Sequence, residues 1–523
     1  MSAEHVEVID DLPEEPEGKK GISFPNSLTI LLIVTVLVWV LAFVVPPGQY
    51  QTDDAGAPVV GTYERIDSPL TISERVEDLF LAPVNGLYGI VNPETGFIAP
   101  FGSGALFGAV GVFLFVLAMG AFMTMVFATG ALELAIARLA HATRAQGWLL
   151  IVAIMAVFGI LGSTMGFAEE TLGFYGLLIP LALALGYDRM VAAGVIILGA
   201  SIGSMASTVN PFSIGVASGE AGISIGDGIV LRLIIWVVMM GIGIAYVLRY
   251  AARVKKDPSH SIVGFSEHDR ELAEAGADTA EPDRLTGKQK LVLVVTVLTF
   301  ALLVFSVIPW SAILATDVGA ADYYTHTTAV EPFWWELGWW FPELTALFLA
   351  AAIVVGLVGG LGEKGIATNV AKGAGDFIGA GLVIVLARGV TVIMNNAQII
   401  DTVLHTMETA VSGLSTGVFT AMVYLVNVPL AFLVPSSSGH ATLAMPLLAP
   451  LADFANVDRS LIVTAWANGA GWLRLIAPTV VVVIGGLALA KVGYDKYLRF
   501  VAPLMATLLV VNIVILVVAG ALL

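Results

Sequence analysis

The sequence contains no cysteine and little charge. Only 12% of its 523 residues are Asp, Glu, Lys or Arg, whereas a typical soluble domain has about 25%. Without cysteine the chain has no disulfide, no thiolate metal site and no cysteine nucleophile. Its net charge of −17 argues against nucleic-acid binding, and no P-loop motif points to ATP as an energy source. We expect neither a cofactor nor a metal centre.

The sequence is instead rich in apolar residues, which make up 58% of the chain and give a mean hydropathy of +0.90. Several apolar runs reach the roughly 20 residues that cross a bilayer as a helix, and the short alternating segments of a β-barrel do not dominate. The sequence therefore predicts an all-α polytopic protein embedded in a lipid bilayer. The predicted spans are Ser27–Val45, Ala105–Thr129, Met190–Ser218, Gly228–Tyr250, Leu291–Ile308, Leu344–Leu361, Ala380–Gln398, Ser460–Leu487 and Phe500–Leu523.

Two further apolar regions, Trp148–Gly186 and Gly417–Phe454, are interrupted by polar residues near their middles. Each half is about 15 residues long, which is marginal for a span, so we predict two re-entrant hairpins. The remaining segments are polar and acidic. They predict a disordered tail at 1–26 and a linker at 259–286, which separates a first membrane repeat at 27–258 from a second at 287–523.

Loop charges predict the orientation, because cytoplasmic loops carry an excess of Lys and Arg. If the spans alternate as predicted, most basic residues fall on one side, with Arg65, Arg75 and Arg459 as exceptions. The loops Ser311–Glu343 and Asp401–Ser415 contain no Lys or Arg. We therefore expect a multi-pass protein of the cytoplasmic membrane with its N-terminus in the cytoplasm and its C-terminus outside.

The two hairpin regions resemble each other. The first reads GSTMGFAEETLGFYGLLIPLALALGYDR and the second PSSSGHATLAMPLLAPLADFANVDR. Ser163 aligns with Ser436 and Gly166 with Gly439, and an Asp-Arg pair ends both copies. By the span count, the first hairpin enters from the cytoplasm and the second from outside. Inverted repeats with interrupted helices are a sequence signature of secondary transporters.

The serine run in VPSSSGHATLAMP is predicted to form the tip of the second hairpin, where it meets the first tip near the membrane midplane. Irregular backbone at that depth persists only when it is buried in protein or lines a wet cavity. The alternative is a packing site of small residues between helices. The tip residues expected to bind substrate are Ser163, Thr164, Thr171, Ser436, Ser437, Ser438, His440 and Thr442.

A broken helix is predicted after each hairpin. Pro211 interrupts the first, and Gly469, Gly471 and Pro478 interrupt the second; proline removes a backbone donor and frees a carbonyl. A kink without function is the alternative. The polar residues expected to bind substrate here and in the preceding span are Asn210, Asn395, Asn396, Asn468 and Arg474, and those expected to bind a coupling ion are Ser207, Thr208 and Asn210.

Charged residues inside the apolar regions are hypotheses for function by default. Glu169 and Glu170, near the first tip, are expected to bind a proton, a sodium ion or a substrate amine, the alternative being an ion pair with Arg388 or Arg474. The forked guanidinium of Arg474 suits a substrate carboxylate. His440 is either a proton-coupling group or a core histidine.

The Asp-Arg pair that follows each hairpin has a structural interpretation. Asp188 and Asp458 precede predicted helices, where an aspartate side chain accepts hydrogen bonds from the first free backbone N–H groups. We therefore predict that both aspartates cap those helices. Their arginines, Arg189 and Arg459, are then expected at the water interface.

Four motifs carry a resemblance to a known family. The segments MGFAEETLGFYGLLIPLALALGYD, ASTVNPF, LARGVTVIMNNAQIIDTVLH and VPSSSGHATLAMP resemble the YfcC family, which groups with C4-dicarboxylate anaerobic carriers of the DcuC type and with arginine/ornithine antiporters. The resemblance implies the fold of the ion transporter superfamily, with two inverted units, a homodimer and elevator-like motion.

The chain departs from related dicarboxylate/sodium symporters, which have a Ser-Asn-Thr triplet at each tip. Here the tips read Ser163-Thr164 and Ser436-Ser437-Ser438. The departure, together with the two glutamates, favours a substrate with an amino group. We expect a secondary active transporter of amino acids, basic amino acid exchange being favoured, or of small organic acids, with sodium or a proton as the coupling ion.

The alternatives are a C4-dicarboxylate carrier, a channel and an intramembrane serine hydrolase. The hydrolase would use Ser438 and His440, but Ser438 is not the serine of a G-x-S-x-G motif, and no aspartate partner is evident. A channel would need a continuous polar pore, whereas the polar residues form paired local clusters. We therefore expect that the protein is not an enzyme.

Overall fold

The computed structural model describes residues 27–51, 59, 61–93, 95–277, 281–314, 332–411, 413–434 and 436–522. The predicted disordered tail lies outside the described residues. In the described part, the fold is the predicted one: an all-α membrane protein with two inverted repeats, each containing a helical hairpin and a broken helix. Seven helices in this part are long and apolar enough to cross a membrane, so the chain is a multi-pass membrane protein.

The first half begins with α1 (Ser27–Leu41), α2 (Ile72–Tyr88), α3 (Val110–Ala128) and the short α4 (Ala131–Thr143). The first hairpin consists of α5 (Gly147–Met165), a 3₁₀ turn (Glu169–Phe174) and α6 (Tyr175–Ala184). The broken helix follows as α7 (Arg189–Met205), a π-helical turn (Pro211–Gly215) and α8 (Val216–Ala221). The long α9 (Ile229–Lys256) ends this half.

The second half follows the linker helix α10 (Glu267–Ala277) and contains α11 (Gly287–Val307), α12 (Trp310–Leu314), α13 (Phe341–Gly359) and α14 (Gly362–Asn396). After α15 (Ile400–Val411), the second hairpin is formed by α16 (Thr416–Leu433) and α17 (Ser437–Phe454). The second broken helix is α18 (Arg459–Arg474) and α19 (Val481–Ala490), and α20 (Tyr494–Leu522) is last.

Five two-residue strands lie between the helices of the first half: β1 (Gly48–Gln49), β2 (Glu64–Arg65), β3 (Ile90–Val91), β4 (Ile98–Ala99) and β5 (Ala105–Leu106). β1 pairs with β2, and β3 pairs with both β4 and β5, all antiparallel. These strands lie in the loops on either side of α2, and Ile98 of β4 is fully buried.

Helix contacts divide the molecule into two groups. The frame consists of α1, α2, α3, α11, α13 and α14, in which α14 packs on α1, α2 and α3, and α13 packs on α3 and α11. The hairpin unit consists of α5–α9 and α16–α20, in which each hairpin packs on the broken helix of its own repeat. The short helices α4 and α15 contact both groups.

The two repeats also interlock. The second hairpin arm α17 packs on α8 of the first broken helix, and the 3₁₀ turn and α6 of the first hairpin pack on α19 of the second. The two central helices α7 and α18 pack on each other. Such reciprocal contacts, with elements in the same order in both halves, are what a twofold relation between the repeats produces.

Several sequence predictions need correction. α2 was not predicted as a helix, because its three acidic residues and one arginine lower its hydropathy. α14 begins at Gly362, well before the predicted Ala380, and α3 begins at Val110 because Ala105–Leu106 form a strand. Arm α5 is 19 residues long, not about 15.

The linker is partly helical and packs on the first hairpin. α10 lies so close to α6 that a Cβ on Gly276 would stand 2.2 Å from the Pro180 carbonyl oxygen. Arg189, which we expected at the water interface, is buried and forms an ion pair with Asp269 of α10. Folding of the linker against the hairpin therefore explains the burial of this arginine.

Candidate functional site

The first hairpin tip is bonded to the first helix break. The Ser163 hydroxyl lies 3.0 Å from the Thr208 hydroxyl and accepts a hydrogen bond from the Thr208 backbone N–H at 3.0 Å. On the other side of the break, the Asn210 amide donates to the Ser207 hydroxyl at 3.4 Å, and Ser213 donates to the same oxygen at 3.3 Å. The predicted ion-coupling residues Ser207, Thr208 and Asn210 therefore belong to one polar cluster with Ser163.

Gly166 makes this approach possible. It has a φ of +71°, a left-handed conformation that ends α5, and a Cβ at this position would stand 3.0 Å from the Asn210 Oδ1 atom. Glycine avoids both the steric conflict and the backbone strain. The hairpin tip can therefore contact the amide of Asn210 directly.

Side chains from the following spans donate hydrogen bonds to carbonyl groups at each break. In the first repeat, Arg232 of α9 is 1% exposed and donates through Nε to the Thr208 carbonyl at 2.9 Å. In the second, Tyr497 of α20 donates to the Leu475 carbonyl at 2.8 Å, and Tyr494 donates to Ile476. Unpaired carbonyls are costly in a bilayer, so these three residues stabilise the breaks. The sequence prediction missed them.

At the second tip, the serine run begins a helix. Ser436 caps α17 by accepting a hydrogen bond from the Gly439 N–H at 3.3 Å, and its hydroxyl lies 3.3 Å from that of Ser438. Thr442 donates to the Ser438 carbonyl. Ser437 is the first residue of α17. The prediction that this polar stretch is a hairpin tip is confirmed.

The predicted alignment of the two tips is wrong in register. Ser163 lies in the last turn of α5, before the tip, whereas Ser436 caps α17, after the tip. Gly166 ends a helix, whereas Gly439 lies inside one. Small residues recur on both sides of such turns, and their similarity misled the alignment. The Asp188 and Asp458 match is correct, because each side chain caps the helix that follows.

One histidine and one arginine in the described part of the second repeat have buried nitrogen atoms without a partner. Among the described residues, neither ring nitrogen of His440 has a hydrogen-bond partner, and the same holds for Nε and Nη2 of Arg474. His440 is 2% exposed and packs edge-on against Trp466. These atoms are the strongest indication of a ligand site near the second break.

Glu169 and Glu170 do not lie beside Arg388 or Arg474 as ion-pair partners. They line a cavity of about 530 Å³ between the first hairpin and the frame, where α14 contributes Asn369, Lys372 and Asp376. Glu169 is exposed and Glu170 half-buried, so Glu169 does not lie deep in the protein. The Glu170 carboxylate accepts a hydrogen bond from the Ala168 N–H at 3.1 Å.

Other predicted site residues have structural partners. Asn396 bonds Asp78 and both backbone groups of Ile98, which ties α14 to α2 and β4. Asn468 accepts a hydrogen bond from Asn512 at 2.9 Å. Thr164 and Thr171 donate to backbone carbonyls within their own hairpin. Asn395, in the last turn of α14, is half-buried.

One buried ion pair joins the hairpin unit to the frame. The Arg388 Nη1 atom lies 2.6 Å from the Glu220 carboxylate, whose side chain is 2% exposed. Arg388 was predicted to pair with Glu169 or Glu170 if it had a structural role. Its true partner lies 168 positions away in the sequence, at the end of α8, and no local pattern marks it.

Comparison with known proteins agrees with this architecture. A family model described as DcuC, C4-dicarboxylate anaerobic carrier, matches residues 24–521. The chain belongs to this carrier family. It is 31% identical to an uncharacterized protein of Haemophilus influenzae over 96% of this chain and 97% of that protein. It is 29% identical, with the same coverage, to the Escherichia coli protein named "Putative basic amino acid antiporter YfcC". The resemblance stated from the motifs is thereby confirmed.

Two solved structures share the fold of this family member. The YdaH transporter of Alcanivorax borkumensis, described as having an unusual topology, superposes with a TM-score of 0.63 at 16% identity and covers 94% of this chain and 98% of its own. MtrF of Neisseria gonorrhoeae, described among antimetabolite efflux pumps, superposes with a TM-score of 0.67 at 16% identity and covers 95% and 96%. At this identity, the likeness establishes the transporter fold alone.

Proposed function

We propose that the protein is a secondary active transporter for small solutes that carry a carboxylate, with basic amino acids as the favoured class and exchange as the favoured mode. The observation that carries this proposal is Arg474, whose Nε and Nη2 atoms are buried without a partner at the second helix break. A buried charge normally requires a partner. A substrate carboxylate would supply one, and the guanidinium fork binds carboxylates with two hydrogen bonds.

The cavity lined by Glu169 and Glu170 supports a cationic group on the substrate. Its titratable lining consists of three carboxylates, with Asp376 as the third, and one lysine, Lys372. The net negative charge attracts cations and raises their local concentration. We infer that a basic amino acid passes this cavity between the hairpin unit and the frame, and that its carboxylate then binds Arg474.

A C4-dicarboxylate is the second candidate. Lys372 and Arg474 are two cationic groups for two carboxylates, and the family description names this class of solute. The three carboxylates of the cavity oppose a doubly negative solute, so we place this candidate second.

The surroundings of the first break favour proton coupling over sodium coupling. Sodium would bind the hydroxyl, amide and carbonyl oxygens around Ser163, Ser207, Thr208 and Asn210. The Thr208 carbonyl, however, already accepts a hydrogen bond from the cationic Arg232 at 2.9 Å. A second cation at this oxygen would be repelled. We therefore propose a proton as the coupling ion.

Alternating access is proposed to follow from motion of the hairpin unit against the frame in an elevator manner. The interlocked hairpins and broken helices form one packed group, and the frame forms another. The homodimer and the cytoplasmic N-terminus remain predictions. The hydrolase alternative loses support, because the Ser438 hydroxyl lies beside Ser436 and no described partner bonds the His440 ring.

The test is exchange of labelled L-arginine in proteoliposomes, with and without sodium and with unlabelled ornithine or succinate as competitor. We expect arginine exchange that ornithine inhibits and that does not need sodium. Arg474→Gln should abolish it, whereas Arg253→Gln, on the exposed end of α9, should not. Uptake of labelled arginine that succinate alone inhibits would establish the dicarboxylate alternative. Full exchange activity of Arg474→Gln would refute the role of this arginine as the carboxylate site.

A further inference from the structure

Glu220 is a buried carboxylate that the mechanism above does not use. It lies in the last turn of α8, the second half of the first broken helix, and its side chain is 2% exposed. The C-terminus of a helix disfavours negative charge, because its unpaired carbonyl groups point toward it. An ionised Glu220 therefore depends on a cation from elsewhere.

That cation is Arg388 of the frame, at 2.6 Å. Arg388 is held without the help of Glu220: its Nε atom donates to the Phe107 carbonyl at 3.0 Å, and its guanidinium carbon lies 4.0 Å from the centre of the Phe107 ring. If the pair separates, the arginine keeps these two contacts. The carboxylate would keep no cation.

The other charged or titratable groups on the helices packed around α8 have other neighbours or lie at the far end of their helix. From α18, Arg459 donates to the Ala221 carbonyl at 2.8 Å and binds both carboxylate oxygens of Asp453, at the end of α17. The other titratable residue of α17 is His440, which packs on Trp466, and the other arginine of α18 is Arg474, at its far end. Glu343 of α13 caps its own helix, and α3 and the π-helical turn contain no charged residue.

Among the ion pairs of the described residues, only this one joins the hairpin unit to the frame. Any sliding of α8 along α14 must separate it. A buried carboxylate that loses its partner is strongly disfavoured, and protonation removes the charge. The geometry therefore couples proton binding by Glu220 to its separation from Arg388.

We propose that Glu220 is the proton-binding site of the transport cycle. A proton from water converts its carboxylate to a carboxylic acid, the pair with Arg388 opens, and the neutral side chain moves with the hairpin unit. Loss of the proton restores the charge, and the pair re-forms when α8 returns to α14. This inference rests on the proposed function, because it requires that the hairpin unit moves.

Absence of cysteine from the chain permits a test that needs no substrate. Spin labels on Val230→Cys in α9 and Leu357→Cys in α13, which are 47% and 65% exposed, would report the distance between the hairpin unit and the frame. Double electron–electron resonance in liposomes would compare about pH 5 with about pH 8, a range that brackets the titration of perturbed carboxyl groups.

We expect acid to shift the wild-type distance distribution. Glu220→Gln, which mimics the protonated side chain, should give the acid distribution at both pH values, and Arg388→Gln should do the same. Glu363→Gln, an exposed change in α14, should keep the wild-type response. A wild-type distance distribution that does not change with pH would overturn the proposal. A Glu220→Gln distribution that changes with pH as fully as the wild type would also overturn it.

A transport measurement separates this proposal from the substrate assignment. With labelled L-arginine, Glu220→Gln should keep exchange at equal pH but lose at least about tenfold of the uptake driven by a pH gradient, because an ion drives a conformational equilibrium only through its differential binding. If the pH-dependent distances depend on Glu220 but arginine is not moved, the substrate assignment fails and the proton site stands. If arginine is moved and gradient-driven uptake survives the substitution, the proton site fails alone.

Discussion

The Nε atom of Arg232 donates a hydrogen bond to the carbonyl oxygen of Thr208 at 2.9 Å, and its guanidinium also bonds the Ile225 carbonyl. One side chain from α9 thus holds the backbone on both sides of α8. The arginine therefore stabilises the break, because its guanidinium donates the hydrogen bonds that backbone N–H groups would donate in a continuous helix.

Arg232→Met should destabilise the protein. It leaves two buried carbonyl groups without a donor, at a cost of about 1–3 kcal/mol each, and the midpoint of thermal unfolding should fall by several degrees. Fluorescence-based melting in detergent would measure it. Arg253→Met on the same helix, where the side chain is exposed, is the control. Equal midpoints for both variants would show that the break does not need this brace.

Gly166→Ala should impair transport with a small loss of stability. The left-handed backbone costs about 1–2 kcal/mol for a residue with a Cβ, and the new methyl group would push against Asn210. Gly176→Ala, in the second arm of the same hairpin, meets nothing within 4 Å and should exchange labelled L-arginine like the wild type. Normal exchange by Gly166→Ala would contradict a role for this contact.

Acid should release the linker helix from the first hairpin. Burial alone would raise the pKa of Asp269, but hydrogen bonds from Ser266 and the adjacent Arg189 guanidinium outweigh it and lower this pKa. A lowered carboxyl pKa stabilises the folded contact above the unfolded value, about 3.9, and that stabilisation is lost as pH falls through the folded value.

Pepsin digestion at pH values below about 3.9 would detect this release as cleavage within α10. Asp269→Asn should weaken the contact at neutral pH and make the helix sensitive to trypsin there. Glu274→Gln, an exposed change on the same helix, should leave the digestion pattern unchanged. Protection of α10 throughout the acid range would refute this account.

Tyr50→Phe should loosen α15. The Tyr50 hydroxyl donates to the Glu408 carboxylate and lies 3.1 Å from the His405 ring nitrogen; burial, reinforced by Glu408, raises the pKa of Tyr50, so the phenol stays a donor. Its loss removes a hydrogen bond to a charged group, worth about 1.5–3 kcal/mol. Amide hydrogen exchange in α15 should accelerate, while Tyr88→Phe, at an exposed tyrosine, should not change it.

The hairpins and breaks were predictable because each is determined by residues that are adjacent in the sequence. Polar and small residues within an apolar run cannot form a regular span, and Pro211 marks a break on its own. The aspartate caps were predictable for the same reason, since Asp188 and Asp458 precede their helices directly.

What the sequence did not reveal depends on distant partners. Glu220 resembles an ordinary residue at a helix end until Arg388 is placed beside it. Arg232 resembles an interfacial arginine at the start of α9 until the Thr208 carbonyl is found at its Nε atom. The predicted alignment of the two tips was wrong because small residues occur on both sides of each turn. Composition alone therefore does not determine which side of one turn matches which side of the other.

Reciprocal packing of the two repeats also has a consequence for biogenesis. Tyr175 of α6 is 2% exposed, and its hydroxyl lies 2.2 Å from where a Cβ on Gly486 of α19 would stand. This neighbour is synthesised about 300 residues after Tyr175, which takes roughly 15–60 s at the usual rate of translation. During that delay, the part of the first half that later packs on the second half is uncovered within the bilayer. Insertion factors that shield this surface, or a second half supplied as a separate polypeptide, should therefore decide the yield of folded protein.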